Sequence, residues 1–379
     1  MLDTVIIGGG LCGLALARSL RQQGRSFALF EARDRLGGRI LSVPGGDGMA
    51  LDLGPTWYWP QTQPRITALV AELGLAAFPQ HDQGTVLSLP DPEKKPTQYE
   101  AKEVHEGAQR LTGGMASLVQ ALAADLPADA LHLAHALIAV VERGDHVELH
   151  FRYDKITLFV AARQVVLSMP PRVLEEQVRF EPALAAATRQ TLRATPTWMA
   201  AQAKVAVTYP HPFWREAGLS GNAFVGHEQA VLGEIFDACD ATVAHAALGG
   251  FLALSPSLRA DFRIGMPLLI SNQLMQLFGD EAEHGTQHRQ DWAAEPYTCS
   301  ALDRPALDSH PVYDDPALRK TYWNGKLYFC GSETASYAAG YLEGALEAGE
   351  RVLHQLAGDS VLNEPLQIPL TPFVKGGTF

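Results

Sequence analysis

Cysteine is scarce in this chain: four residues in 379, at positions 12, 239, 299 and 330, with no CxxC pair among them. That spacing excludes a zinc knuckle or a disulfide framework, and reduced thiols in a cytoplasmic protein are expected. Cationic residues are also outnumbered, 30 Lys and Arg against 42 Asp and Glu for a net charge of -12, which argues against nucleic acid or an anionic membrane as the partner. No run of about 20 apolar residues exists, and the tail from Leu362 to Phe379 is broken by Pro365, Pro369 and Pro372, so no membrane anchor is expected. Val5 to Ile7 already reads as a core strand with no charged segment and cleavage site before it, which disfavours export. The pairs His132/His135 and His284/His288 have ligand-like intervals but no nearby cysteine or carboxylate set, so no metal site is expected. Tandem repeats are absent, and Pro90 to Gly107 reads as a polar exposed loop or edge.

What the chain does have is glycine in two telling places. The apolar run Thr4 to Ile7 breaks into Gly8-x-Gly10-x-x-Gly13 and continues with the helical positions Leu14, Ala17 and Leu20. Strand, tight turn and helix in that order suit a dinucleotide: the turn lets a pyrophosphate reach the backbone, where the helix amides meet its charge. A second strand, Ser26 to Phe30, ends in Glu31, about 20 residues beyond the glycines, where a carboxylate hydrogen-bonds ribose hydroxyls and disfavours a phosphorylated ribose. FAD or NAD is therefore preferred to NADP. The absence of a second GxGxxG disfavours a built-in NAD(P)H domain.

Length beyond one core predicts two intimately packed domains. Helices are expected near 65–73 and 115–126, a hairpin turning at Arg143-Gly144-Asp145, and a buried strand in ARQVVLSMPP. From about Pro196 to Tyr322 the segments AQAKVAVTY, AVLGEIFDA and GGFLALS read as antiparallel strands, with PLLISNQLMQLFG as an apolar helix. A strand at Lys326 to Phe329, a glycine turn and a helix from Leu342 to Leu356 suggest that the C-terminus completes the first domain.

Seven segments, VIIGGGLCGL, EARDRLGGRI, LDLGPTWYWP, LTGGMASLVQAL, VVLSMPP, AKVAVTY with HPFW, and YFCGSETASYAAGYLEGALEAG, resemble in order those of the flavin-containing amine oxidase family, which includes monoamine and polyamine oxidases. The resemblance covers nearly the whole chain. It implies an α/β fold: a discontinuous Rossmann-like FAD-binding domain from 1–78, 113–194 and 322–379, and an α+β substrate domain on a mixed or antiparallel sheet from 79–112 and 195–321. It also implies a cofactor site. Gly8, Gly10, Leu11, Cys12 and Gly13 line the pyrophosphate turn, Glu31 holds the ribose, and Ala32, Arg33, Gly38 and Arg39 follow along the dinucleotide. Gly54, Pro55 and Thr56 lie beneath the isoalloxazine, Leu137 near adenine, and Ser168 with Pro170 at a second strand end. Gly331, Ser332 and Glu333 match the ribityl and phosphate contacts, and Gly340, Tyr341 and Leu342 those near the flavin pyrimidine.

Three departures shape the expected chemistry. Trp292 and Tyr297 match the pattern preceding a covalent flavin cysteine, but the aligned attachment position is Ala301 and Cys299 falls two residues early, so non-covalent FAD is expected. Of the two aromatic rings that often sandwich the amine, Tyr341 matches one and Leu302 stands at the other. Trp57, Tyr58 and Trp59 replace the arginine that amino-acid oxidases place after the GPT-like loop, which weakens amino-acid substrates. The expected activity is oxidation of an amine, with hydride passing from the carbon α to nitrogen to flavin N5 and on to molecular oxygen, giving imine or aldehyde and hydrogen peroxide. Tyr341, Trp57 and Leu302 are expected in the substrate pocket and Tyr341 and Lys204 in catalysis, Lys204 near the water used in reoxidation. A strand-edge lysine facing solvent is the bland alternative for Lys204. At the level of the whole protein the alternatives are a flavin dehydrogenase or desaturase with a non-oxygen acceptor, or a flavin-binding protein without turnover.

Overall fold

A computed structural model describes residues 1–101, 104–305, 307 and 309–358. The proline-broken tail, and with it the end of the 322–379 segment, lies outside the described residues.

The strand Leu2–Ile7 forms because β-branched Val5, Ile6 and Ile7 face apolar partners on both sides. It pairs in parallel with Phe27–Phe30 on one side and with the 13-residue strand Ile156–Ser168 on the other. Leu327–Cys330 then joins Ile156–Ser168 in parallel, so residues more than 300 apart in sequence share one sheet. The registers Ile7 with Phe30, Ile7 with Leu167 and Ser168 with Cys330 bring these strand ends level. The loops that follow them, at Gly8, Glu31, Met169 and Gly331, therefore emerge along one edge, where open parallel sheets bind ligands.

The nine-stranded sheet is completed by the antiparallel run Ala136–Glu142, Val147–Tyr153 and Ile156–Ser168, turning at the expected Arg143-Gly144-Asp145, with short strands at its margins. Helices Leu11–Gln22 and Leu342–Ala357 pack against each other on one face of this sheet. Their buried faces, Leu14, Ala17 and Leu20 on one and Ala345, Ala348 and Val352 on the other, belong to one core with Ile6, Val166 and Tyr328. Placing alanine and glycine at the contact permits close approach of the two helices.

A second sheet of seven strands runs in the order Thr286–Asp291, Ala203–Tyr209, Ala246–Leu252, Leu232–Asp237, Leu219–Val225, Thr85–Leu89 and Thr97–Glu100. It is antiparallel except where Thr85–Leu89 lies parallel to Leu219–Val225, and so is mixed. The apolar helix Met266–Phe278 covers one face, with Trp214 fully buried beneath. The fold is α/β, a Rossmann-like domain joined to a second domain on this mixed sheet. Within the polar stretch expected as loop or edge, Thr97–Glu100 is an exposed edge strand, but His105 is buried.

Candidate active site

Sharp turns at the sheet edge create the site. Gly8 has φ +106, and a Cβ there would lie 2.2 Å from the Ser168 carbonyl oxygen. A Cβ on Gly13 would lie 2.1 Å from the Gly8 carbonyl oxygen. No other residue type fits either position without moving backbone. The first helix starts at Gly10 with no side-chain cap, and the last starts at Tyr341, also uncapped. Both N-termini border one cleft with about 1820 Å³ free of protein atoms, its open mouth included. Two uncapped helix starts supply amide donors and positive dipole ends to a single ligand.

Charged side chains fix the rest of this wall. Glu31 accepts from the Gly9 amide at 2.7 Å and the Arg33 amide at 2.9 Å, holding its carboxylate at the cleft. Arg39 pairs with Glu333 at 2.7 Å and donates to the Ser332 hydroxyl at 2.9 Å, tying the two chain ends together beside the cleft. A carboxylate at a strand end, glycines that bring backbone to the surface and two convergent helix starts fit the ribose, pyrophosphate and flavin parts of FAD.

The far end of the cleft is aromatic, bordered by Trp57, Trp59, Phe251 and Tyr341. Lys204 enters here from the interior strand Ala203–Tyr209, opposite Phe251 in register and 2% exposed. Its Nζ donates to the Gly54 carbonyl at 2.9 Å and to the Thr56 hydroxyl, with the rings of Trp57, Phe236 and Phe251 at 5.6, 5.2 and 5.3 Å. Burial pushes the ammonium down from 10.5 to about 7, partly opposed by the charge of Asp52. The solvent-facing alternative for Lys204 is thus excluded: the lysine is interior and poised to change charge near neutrality.

Behind Trp57 stands a network the sequence reading missed. The His105 ring stacks on the Trp57 indole with centroids 4.6 Å apart, and its Nδ1 meets Asp82 at 2.9 Å and its Nε2 Glu234 at 3.5 Å. Burial disfavours the imidazolium, but these two carboxylates outweigh it and raise the His105 pKa. The Trp57 indole donates to Gln80 Oε1 at 2.8 Å. His105 sits in a polar stretch without periodicity, so no sequence signal marks it. Phe251, by contrast, could have been found from the alternation of GGFLALS. On Tyr341 the partner ring is His310, parallel within 7° at 5.0 Å and donating from Nε2 to the Ala339 carbonyl.

Of the expected site residues, Gly8, Gly10, Leu11, Cys12, Glu31, Ala32, Arg33, Gly38, Arg39, Gly54, Pro55, Thr56, Trp57, Leu137, Ser168, Pro170, Lys204, Gly331, Ser332, Glu333, Gly340, Tyr341 and Leu342 border the cleft. Gly13 lies one layer beneath. Leu302 is the correction: it is 49% exposed and lies away from the cleft. A capping box from Ser300 to Asp303, with Arg172 bound to Asp303 and to the Leu302 carbonyl, turns the chain outward before it reaches the cavity. Neither Cys299 nor Ala301 borders the cleft, although Trp292, Tyr297 and Thr298 do. Tyr337 donates to the Thr62 carbonyl and serves packing, whereas Trp198 borders the cleft. Among the described residues no cluster of side chains could hold a metal, and no helix is long and apolar enough to cross a membrane.

Known proteins share this fold. Residues 92–352 match the model of the flavin containing amine oxidoreductases, and residues 6–73 that of an NAD(P)-binding Rossmann-like domain. The chain is 25% identical to putrescine oxidase of Kocuria rosea, over 94% of this chain and 95% of that one. It is 23% identical to flavin-containing amine oxidase B of Sus scrofa, over 93% and 86%. In three dimensions it resembles putrescine oxidase bound to putrescine, with TM-score 0.76 at 22% identity over 94% of this chain and 99% of that chain. Cyclohexylamine oxidase from Brevibacterium oxydans gives TM-score 0.74 at 22% identity over the same shares. With its FAD-shaped cleft and its aromatic end, the chain belongs to the flavin containing amine oxidoreductases, FAD-dependent enzymes that act on amines.

Proposed function

We propose that the protein is an oxidase of apolar monoamines that holds FAD without a covalent bond. Bound FAD supplies the chemistry, taking a hydride from the carbon α to nitrogen and returning the electrons to oxygen as hydrogen peroxide. The observation that carries this reading is the single cleft in which two glycine cradles adjoin an aromatic end containing a buried lysine. Segments 1–78, 113–194 and 322–379 are assigned to cofactor binding, and 79–112 and 195–321 to the substrate side.

Each end of the cleft has its task. Glu31 orients the ribose, the amides of the first helix and Arg39 meet the pyrophosphate, and the amides at Leu342 and beyond favour negative charge on the ring system. Tyr341, Trp57 and Phe251 exclude water and present rings to the amine; a cation–π contact of about 0.5–2 kcal/mol retains its protonated form until a proton is lost. Lys204 holds or gives up a proton at Nζ, supplying positive charge where oxygen is reduced. At the aromatic end the described lining residues include no carboxylate, the carboxylates of the cleft being Glu31 and Glu333 on the cofactor side. A second ammonium, as in a diamine, has no partner there, and neither has the carboxylate of an amino acid, except Lys204 itself.

A panel of arylalkyl and alkyl monoamines, diamines and amino acids, assayed for peroxide with the purified flavoprotein, tests this. Turnover is expected with the monoamines and falls at least tenfold for diamines of equal length, since leaving a buried charge unpaired costs several kcal/mol. A preference for diamines refutes the substrate assignment, and absence of peroxide with continued amine turnover to an artificial acceptor favours a dehydrogenase.

A further inference from the structure

Two of the four cysteines meet inside the cofactor cradle. Cys12 belongs to the first turn of the first helix and borders the cleft, and Cys330 ends the strand Leu327–Cys330. Their sulfurs are 2.8 Å apart although 318 residues separate them in sequence. Only about 0.8 Å of approach separates that contact from a disulfide bond of about 2.05 Å. Cys239 and Cys299 have no such neighbour, and burial pushes their thiols up to about 12 and about 11, which keeps them protonated and inert.

A second feature points to the same place. Arg351, on the last helix, is 6% exposed, and the hydrogen bonds of its guanidinium among the described residues go to no carboxylate. Its guanidinium donates to the Phe329 carbonyl, the Thr334 hydroxyl and Gln355, and its Nε has no hydrogen-bond partner. Its charge acts on both thiols. Burial disfavours the Cys12 thiolate, yet the Cys330 thiol, Ser168, the Gly331 amide and Arg351 together lower its pKa below the ordinary value. Cys330 is shifted the other way, chiefly by burial and by its neighbour. Cys12 is thus the thiol prepared to attack, whereas Cys330 stays protonated and follows through its position 2.8 Å away, its proton leaving with the displaced oxygen as water.

We propose that Cys12 and Cys330 are a modification site, a dithiol that a hydroperoxide converts to a disulfide joining the two ends of the chain across the cofactor cradle. The Cys12 thiolate attacks a peroxide oxygen, the O–O bond breaks, and the leaving oxygen takes a proton and departs as water. The resulting sulfenic acid is attacked at sulfur by Cys330; the S–S bond forms, the S–O bond breaks and a second water leaves. Two thiols lose two electrons and two protons in total, and one hydrogen peroxide becomes two waters. The bond fixes the first-helix turn to the last sheet strand, so the cleft opens less readily and bound flavin is released several-fold more slowly.

The test supplies hydrogen peroxide itself and so does not depend on amine oxidation. The purified flavoprotein is treated with peroxide, denatured, alkylated and mapped by mass spectrometry. Two of the four thiols are expected to escape alkylation, in a linked peptide pair containing Cys12 and Cys330 and lighter by two hydrogens, and the Cys330→Ser variant should lose no thiol pair. Four alkylated cysteines after peroxide, a pair formed elsewhere, or a linked pair persisting in Cys330→Ser would overturn the site. Equal flavin release from oxidised and reduced protein would overturn the clamp.

Discussion

Lys204 is a buried base whose charge enters the stability of the fold directly. With a folded pKa of about 7 against 10.5 when exposed, the unfolded chain binds more protons between those values, so this residue makes stability rise with pH across that window. Lys204→Met should therefore be more stable than wild type at pH 6. The gain, at most about 5 kcal/mol for a shift of this size, should shrink towards pH 10.5. Denaturant unfolding at several pH values checks this, and a gain that does not shrink contradicts it. The same variant should be reduced by amine at a near-normal rate but reoxidise in air at least tenfold more slowly; unchanged reoxidation removes Lys204 from the chemistry. His105 pulls in the opposite direction. Its raised pKa means that its contribution is complete below the ordinary histidine value and lost as pH rises through the folded one. His105→Phe keeps a ring against Trp57 but removes the charged partner of Asp82 and Glu234, leaving Asp82 only Asn222 and the residue-105 amide, and should lower stability by about 1–3 kcal/mol at pH 6 and by less at pH 9. An equal loss at both pH values would contradict a protonated His105.

Among the elements, the two helix starts were the most legible because their signals are local: glycines required by close contact, after a short apolar run, before apolar spacing of three and four. Gly13→Ala brings a methyl to 2.1 Å from the Gly8 carbonyl and should abolish flavin retention while costing several kcal/mol of stability. Gly24→Ala, where φ is +68 but nothing lies within 4 Å, should cost about 1–2 kcal/mol and keep its flavin. Flavin content and thermal melting of the two variants separate close approach from simple backbone strain; equal flavin loss in both would contradict the packing role of Gly13. The element that misled was the stretch from Trp292 to Asp303. Trp292 and Tyr297 at its start border the cleft, but Leu302 lies within a 3-10 turn, its carbonyl held by Arg172, 130 positions away. No local pattern records such a long-range contact. His105 was hidden for the same reason: its partners Trp57, Asp82 and Glu234 lie on three separate segments.

The whole molecule joins distant stretches at one edge of a parallel sheet, so that Gly8, Glu31, Ser168 and Gly331 become neighbours. That convergence was readable in outline, since both ends carry strand, glycine turn and helix. The chemistry of the opposite wall was less so, because a mixed sheet sets which side chains face the cleft by register, and register is fixed by tertiary pairing. Lys204 and Phe251 meet only because Ala203–Tyr209 pairs with Ala246–Leu252. An FAD held in this cleft with its reacting side toward the aromatic end must be reducible by an amine bound there. Mixing the purified protein anaerobically with an arylalkyl monoamine while recording the flavin spectrum tests it most directly. A yellow protein that bleaches with the amine and regains its colour in air is expected; a folded protein that takes up no flavin, or whose flavin no amine reduces, would contradict this arrangement.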